Sequence, residues 1–339
     1  MSTETAAQPG APQAPGRAQS YRPRKRPPLY VRRTRAAWGF ALPFMLLFLV
    51  FTLGPVLMSL AMAVTDLRSR DLRNPFAVEF IGIENFTAVF SDPLFRKAAG
   101  NTAYFVLVGV PLTLALALAI AVVLNAGITR FKALFRVGYY MPVVTSIVAV
   151  AVVWRFLLHP DVGLLNEVLG WFGIEGPNWL ASTTWAMPSM IAMATWRSIG
   201  TLIVIFLAGL QSVPTALHEA AALDGAGVWQ RFRHITVPTL RPTLLFGAVI
   251  TGIGYVQFFE EPFVMTQGGP LNSTLSVAFH TYNQFGFGNY GYAAAMSYVL
   301  FLAVVLLALV QFRLLGERDE PRRPKKRRPA PVANKEIGR

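Results

Sequence analysis

Seven residues between positions 255 and 263 have the types for solute chemistry: Tyr255, Gln257, Phe258, Phe259, Glu260, Glu261 and Phe263. They set aromatic faces beside hydrogen-bonding groups. Such a set suits a polyhydroxylated solute, whose rings offer apolar C–H faces as well as hydroxyls. Helix packing is the commoner reason for any single aromatic; for the cluster, the other reading is a solute path through Tyr255, Gln257, Phe258, Glu260 and Glu261. A second group lies upstream. Glu219-Ala220-Ala221-Ala222-Leu223-Asp224-Gly225 is followed, after nine residues, by Ile235-Thr236-Val237-Pro238. Pro214 suits a helix start, and Thr215 to Leu223 is rich in helix formers. Gly225 and Gly227 then let the chain reverse before a second short helix, expected over 228–234. The segment predicts a helix–turn–helix with Glu219 and Asp224 near its tip; the plainer alternative is an amphipathic connector.

Charges inside apolar runs are the third group: Arg155, Arg197 and Glu260. A charge at membrane depth marks function or a partner. Counting 1.5 Å per residue, Arg155 lies about 24 Å, and Glu260 about 27 Å, from the starts of their runs. They are expected at similar depth, with Arg197 matching less well. An ion pair, snorkelling and a gate remain equal explanations. Catalytic chemistry has no comparable constellation. No G-x-x-x-x-G-K-[ST] occurs, so any ATP used must bind another chain. The four histidines have no metal spacing and there is no cysteine, so neither a metal nor another cofactor is expected and the chain is not read as an enzyme.

These groups need elements to position them, and the composition supplies membrane spans. Of 339 residues, 54% are hydrophobic and 14% charged. Uncharged runs cover Ala36–Thr65, Ala98–Thr129 and Pro262–Phe312. A span needs about 20 mostly apolar residues. Six spans are expected: 38–64, 101–125, 139–158, 185–207, 242–264 and 291–312. The net charge of +14 does not indicate nucleic acid. Eight basic residues lie between Arg17 and Arg35 and ten between Arg313 and Arg339, each cluster beside an apolar run and without a folded basic face. With three more after span two and three after span four, one side collects 24 basic residues against five on the other. By the positive-inside bias both termini are cytoplasmic, and the helix–turn–helix between spans four and five is cytoplasmic too. Residues 1–36 and 317–339 read as disordered basic tails flanking a transmembrane domain over 37–316.

The segment from Glu219 to Pro238 resembles the cytoplasmic coupling loop of ABC importer permeases, E-A-A, three residues, G, nine residues, I-x-L-P, with Val237 where leucine is usual. The resemblance extends outward. Gly82-Ile83-Glu84-Asn85-Phe86 is similar to the G-L-x-N-F element of sugar-type permeases. Phe135-Arg136, Met141-Pro142, Trp154 and Gly163-Leu164-Leu165-Asn166 resemble their span-three region. Thr266-Gln267-Gly268-Gly269-Pro270, with Thr274, resembles their T-G-G-G-P…T stretch, Gln267 replacing a glycine. Together these cover residues 37–315 and look like the larger permease subunit of the maltose and glycerol-3-phosphate importer class. The resemblance implies an all-α membrane protein of the bacterial plasma membrane, coupled to an ATPase through Glu219, Ala220, Ala221, Asp224 and Gly225. It also implies a second permease, two ATP-binding cassette subunits, an extracytoplasmic solute-binding protein and surrounding lipid as partners. An ion-coupled secondary transporter is a rival, but would favour ionisable residues at mid-membrane, where only Arg197 qualifies. A non-transporting scaffold leaves Glu219 to Pro238 unexplained.

Overall fold

The computed structural model describes residues 29–73, 78–126 and 132–315. The chain divides into two units, residues 1–57 and 58–339. The first holds α1 (Leu29–Phe48), a π-helical turn at Leu49–Leu53 and the opening of α2 (Gly54–Ala63). Helix α1 starts eight residues before the expected end of the tail. Pro27 and Pro28 fall just ahead of it, and the following Leu-Tyr-Val-Arg-Arg stretch contains no breaker. The rest of both expected tails lies outside the described residues. The π turn answers Pro55, which has no N–H to give Phe51 and whose ring would strike that carbonyl. Instead Gly54 donates its N–H five residues back, to Leu49.

Among the described residues of the second unit the regular elements are all helices, joined by turns and loops, apart from an isolated antiparallel bridge between Thr65 and Phe80. Its elements are α3 (Glu84–Ser91), α4 (Pro93–Asn125), α5 (Lys132–Val144), α6 (Ile147–Leu157), α7 (Leu164–Trp171) and α8 (Ala186–Gln211). Short α9 (Thr215–Leu223), α10 (Val228–Arg231) and α11 (Val237–Thr239) follow, then α12 (Arg241–Val256), α13 (Glu260–Met265), α14 (Val277–Gly286) and α15 (Tyr290–Leu315). Among the described residues, four stretches are long and apolar enough to cross a membrane: Ala37–Ala63, Pro93–Asn125, Ala186–Gln211 and Tyr290–Leu315. Two bent pairs raise the number to six if each is one span: Val137–Val144 with Ile147–Leu157, bent by 111°, and Val228–Thr239 with Arg241–Val256, bent by 67°.

Two expected straight spans are therefore broken. In 139–158, Pro142 removes a backbone donor and Val143, Val144 and Thr145 follow, all β-branched. The Thr145 hydroxyl takes the Met141 carbonyl at 2.9 Å, and Ser146 leaves the helical region with ψ 127°. In 242–264, Gln257 (φ −97°, ψ 15°) and Phe259 (φ −138°, ψ −48°) leave the helical region just ahead of Pro262, which has no N–H for Phe258. Proline is tolerated in a first turn, which is where α13 places it. The expected polar loop 266–290 also contains a helix, α14. Ser276 caps it, its hydroxyl accepting the Phe279 N–H at 3.0 Å.

The centre of this unit is α4 lying along α8, with α12 against α4 and α15 against α12. Helices in lipid associate by close packing, which favours small residues at crossings. Gly200 of α8 shows this: a Cβ there would stand 2.1 Å from the Tyr139 carbonyl oxygen of α5. Phe105, Met190 and Tyr255 are buried where α4, α8 and α12 meet.

Candidate functional site

Helix α9 carries Glu219, Ala220 and Ala221, and its end is built by hydrogen bonds at Gly225. The Gly225 N–H reaches the Ala222 carbonyl at 3.1 Å and the Ala226 N–H reaches Ala221 at 2.8 Å. This paired closure requires a left-handed residue between them, and Gly225 has φ +81°. Gly227 then opens α10, its N–H donating to the Gln230 side chain at 2.8 Å. The second helix is shorter than the expected 228–234. A π turn at Phe232–Thr236 replaces its end, because Pro238 has no N–H for His234; Val237 bonds back to Phe232 instead. Glu219, Ala220, Asp224 and Gly225 are exposed and Ala221 is half-buried. Beside them the tip shows three large apolar side chains absent from the expected set: Leu223 (90% exposed), Val228 (77%) and Trp229 (68%). Their signal in the sequence was apolar bulk inside an otherwise polar connector.

The expected solute-path residues separate. Tyr255 is buried, its hydroxyl 2.9 Å from that of Thr113, which lies 3.0 Å from the Thr195 hydroxyl. The Tyr255 ring occupies the space a side chain at Gly109 would need, 2.8 Å from a Cβ there. Phe258 is also buried and stacks on Phe105, centroids 4.0 Å apart and planes within 2°. Both pack among α4, α8 and α12. Gln257 is exposed, Glu260 half-buried and Glu261 buried. The expected alignment of Arg155 with Glu260 is not an ion pair: Arg155 Nη1 donates to the Val264 carbonyl at 3.2 Å. Arg197, which the residue count matched less well, forms no ion pair with a carboxylate among the described residues. Its Nε is buried without a hydrogen-bond partner. The break at 257–259 accounts for the change, since counting along one straight helix no longer gives depth.

The remaining motifs position these elements. Asn85 donates to the Ala63 and Thr65 carbonyls at 2.9 and 2.8 Å, closing the end of α2. Thr266 and Thr274 join hydroxyls at 2.7 Å across the Gly268-Gly269-Pro270 turn, and Thr274 also donates to the Gly269 carbonyl. Asn101 of α4 holds the same loop through the carbonyls of Asn272 and Leu275. Asn166 accepts from the Trp179 ring N–H at 2.6 Å and donates to the Pro160 carbonyl. One cluster lay outside every motif: Asp92, the N-cap of α4, accepts from the Leu94 N–H, Tyr292 and His280. Burial works against the Asp92 charge, but the hydrogen bonds from Leu94, Tyr292 and His280 outweigh it and hold the carboxyl below its ordinary value.

Residues 109–316 match the family described as "Binding-protein-dependent transport system inner membrane component". The chain belongs to this family. The matched stretch contains both the α9–α11 segment and the residues from Tyr255 to Glu261. Among relatives of this inner membrane component, the lactose transport system permease protein of Rhizobium radiobacter is 36% identical, covering 83% of this chain and 94% of the relative. The arabinooligosaccharides transport system permease protein of Bacillus subtilis (strain 168) is 33% identical over 85% of this chain and 91% of its own. The inner membrane component also superposes on a chain of a bacterial ABC transporter that imports the acidic polysaccharide alginate. That match has a TM-score of 0.69 at 25% identity, covering 84% of this chain and 96% of the other.

Proposed function

We propose that this inner membrane component is one of two permease subunits of an ATP-driven importer for a sugar or related carbohydrate. The observation that carries this reading is the likeness, over more than four-fifths of the chain, to permeases whose names specify lactose and arabinooligosaccharides. ATP hydrolysis belongs to separate cassette subunits, and an extracytoplasmic binding protein delivers the solute. Each bent pair counts as one span, giving six with both termini cytoplasmic. The α9–α11 segment lies on the cytoplasmic side, where Glu219, Ala220, Ala221, Asp224 and Gly225 meet the ATPase. The exposed Leu223, Val228 and Trp229 support this assignment, because apolar side chains at a polar tip gain by being covered. Movement of the cassettes shifts the spans between inward- and outward-open states. The driving force is a difference in contacts between those states. Tyr255, Gln257, Phe258, Glu260 and Glu261 belong to the moving path, with Tyr255 and Phe258 acting as packing on its wall.

The test is uptake in cells lacking this gene, with the sugar chosen as the one that raises the melting temperature of the cognate binding protein. Uptake should require this gene, the binding protein and the cassette ATPase together. Uptake that survives loss of the ATPase and collapses with the ion gradient would move the chain to the secondary transporters. Reporter fusions check the topology: Ala226 should report cytoplasm, Gly176 and Asn272 the outside.

A further inference from the structure

A cavity of about 500 Å³ lies where α9 and α10 meet the ends of α4 and α8. Much of its wall is apolar, through Val122 of α4, Leu210 of α8 and Phe232 of the π turn. Two nitrogen-bearing side chains share the lining, His218 of α9 and Arg231 of α10, both half-buried. Among the described residues no carboxylate lines it, neither Glu219 nor Asp224 included. Arg231 is the unusual member. Its Nε is buried without a hydrogen-bond partner, and no carboxylate among the described residues stands within ion-pair distance of it. A guanidinium is always charged and carries five N–H donors, and burying a charge is costly unless it is paired. Arginine ordinarily escapes that cost by laying its stem on apolar surface with the head in water; here the Nε, part of the head itself, is covered. Thr215, the first residue of α9, also lines the cavity, and that helix end has no side-chain cap. N–H groups left open at a helix start favour anions.

We infer that this cavity binds a phosphate group, held by Arg231 with His218 beside it. The inference goes beyond the importer reading and needs nothing about the solute. A guanidinium meets two phosphate oxygens at once through parallel N–H bonds, and the phosphate brings the counter-charge that no described residue provides. Apolar walls beside the cation suit a phosphate that carries an apolar chain, as a phospholipid headgroup does. Free phosphate has the same charge chemistry and is the second source. Bound there, the group ties α9 and α10 to the ends of α4 and α8, so its occupancy stiffens the segment that carries Glu219 and Gly225. The rival occupant is a carboxylate of the ATPase reaching the same guanidinium, a contact between proteins and not a ligand site.

The probes are inorganic phosphate and dihexanoyl phosphatidylglycerol. Each is titrated into the full chain, purified with its co-assembled subunits in a phosphorus-free detergent, and followed by the broadening of its phosphorus NMR line. At least one probe should bind and saturate: the lipid alone marks a headgroup site, and inorganic phosphate marks a site open to the soluble ion. Arg231→Gln should weaken that binding by about 10-fold or more, the worth of a charge-assisted hydrogen bond. Arg231→Lys should weaken it less, since the charge remains without the fork. Val122→Trp keeps the cation but fills the cavity, and should abolish binding, with melting temperatures measured on every variant. No saturation by either probe in the wild type, or equal affinity in the wild type and Arg231→Gln, would overturn the site. So would a wild type that binds neither probe beside an Arg231→Gln variant that sheds its ATPase, the mark of a partner carboxylate. These outcomes leave the importer reading standing, because that reading falls only if uptake proves independent of the ATPase.

Discussion

Replacing Gly225 by valine tests the link from backbone conformation to energy coupling. Gly225 closes α9 with φ +81°, and nothing lies within 4 Å of where a Cβ would sit. The substitution therefore meets no clash, and its whole cost is conformational. A left-handed residue with a Cβ costs roughly 1–2 kcal/mol, and β-branching puts valine at the upper end. That cost falls on the closure made by the Gly225 and Ala226 N–H groups, so the tip with Asp224 and the facing α10 is displaced. A bias of 1–2 kcal/mol is a factor of about 5–30 in population, and uptake should fall by that factor. Gly225→Asn is the matched control, because asparagine tolerates the left-handed region, and should keep most uptake. Uptake, membrane abundance and co-purification of the ATPase are measured together. Wild-type uptake in Gly225→Val would refute the argument, and so would equal losses in the valine and asparagine variants, since the second result would mean that chemistry at the position, not φ, is what counts.

Three further outcomes are expected. Tyr255→Phe deletes a buried hydrogen bond to Thr113 but leaves Thr113 bonded to Thr195 and Gly109, so stability should drop by about 1 kcal/mol, read as a lower melting temperature of the purified protein. Arg155→Gln and Glu260→Gln should add in uptake when combined, since Arg155 serves the Val264 carbonyl; strong coupling between them in a double-mutant cycle would count against this assignment. The depressed Asp92 pKa contributes stability that is present above the unfolded carboxyl's range and is lost as pH falls through the lower folded value. Asp92→Asn keeps an oxygen for the Leu94 N–H but loses the charge to which Tyr292 and His280 bond, so it should lower stability by about 1 kcal/mol at neutral pH and flatten the acid side of a melting-temperature profile.

The helical class and the four long apolar stretches were legible because hydrocarbon thickness fixes how many apolar residues a span requires. The helix at Thr215–Leu223 and the turn at Gly225 were legible too, since both depend on local backbone preference. What escaped depends on tertiary geometry or on the unpaired neighbours of prolines. Pro142 and Pro262 were visible, but whether a proline kinks, breaks or adds a π turn is decided by what lies around it. Tyr255 and Phe258 have the types of a solute site and the surroundings of a core. Helix α14 escaped because its start is set by the Ser276 side-chain cap, a contact of the folded chain.

The π turn at Phe232–Thr236 gives the spacing of the α9–α11 segment a meaning of phase. A π turn holds one more residue than an α turn, and each helical residue advances the face by about 100°. Without that residue, Pro238 and the start of α12 would leave the segment on a different azimuth. The nine residues between Gly225 and Ile235 thus help set the angle between the end of α9 and the start of α12.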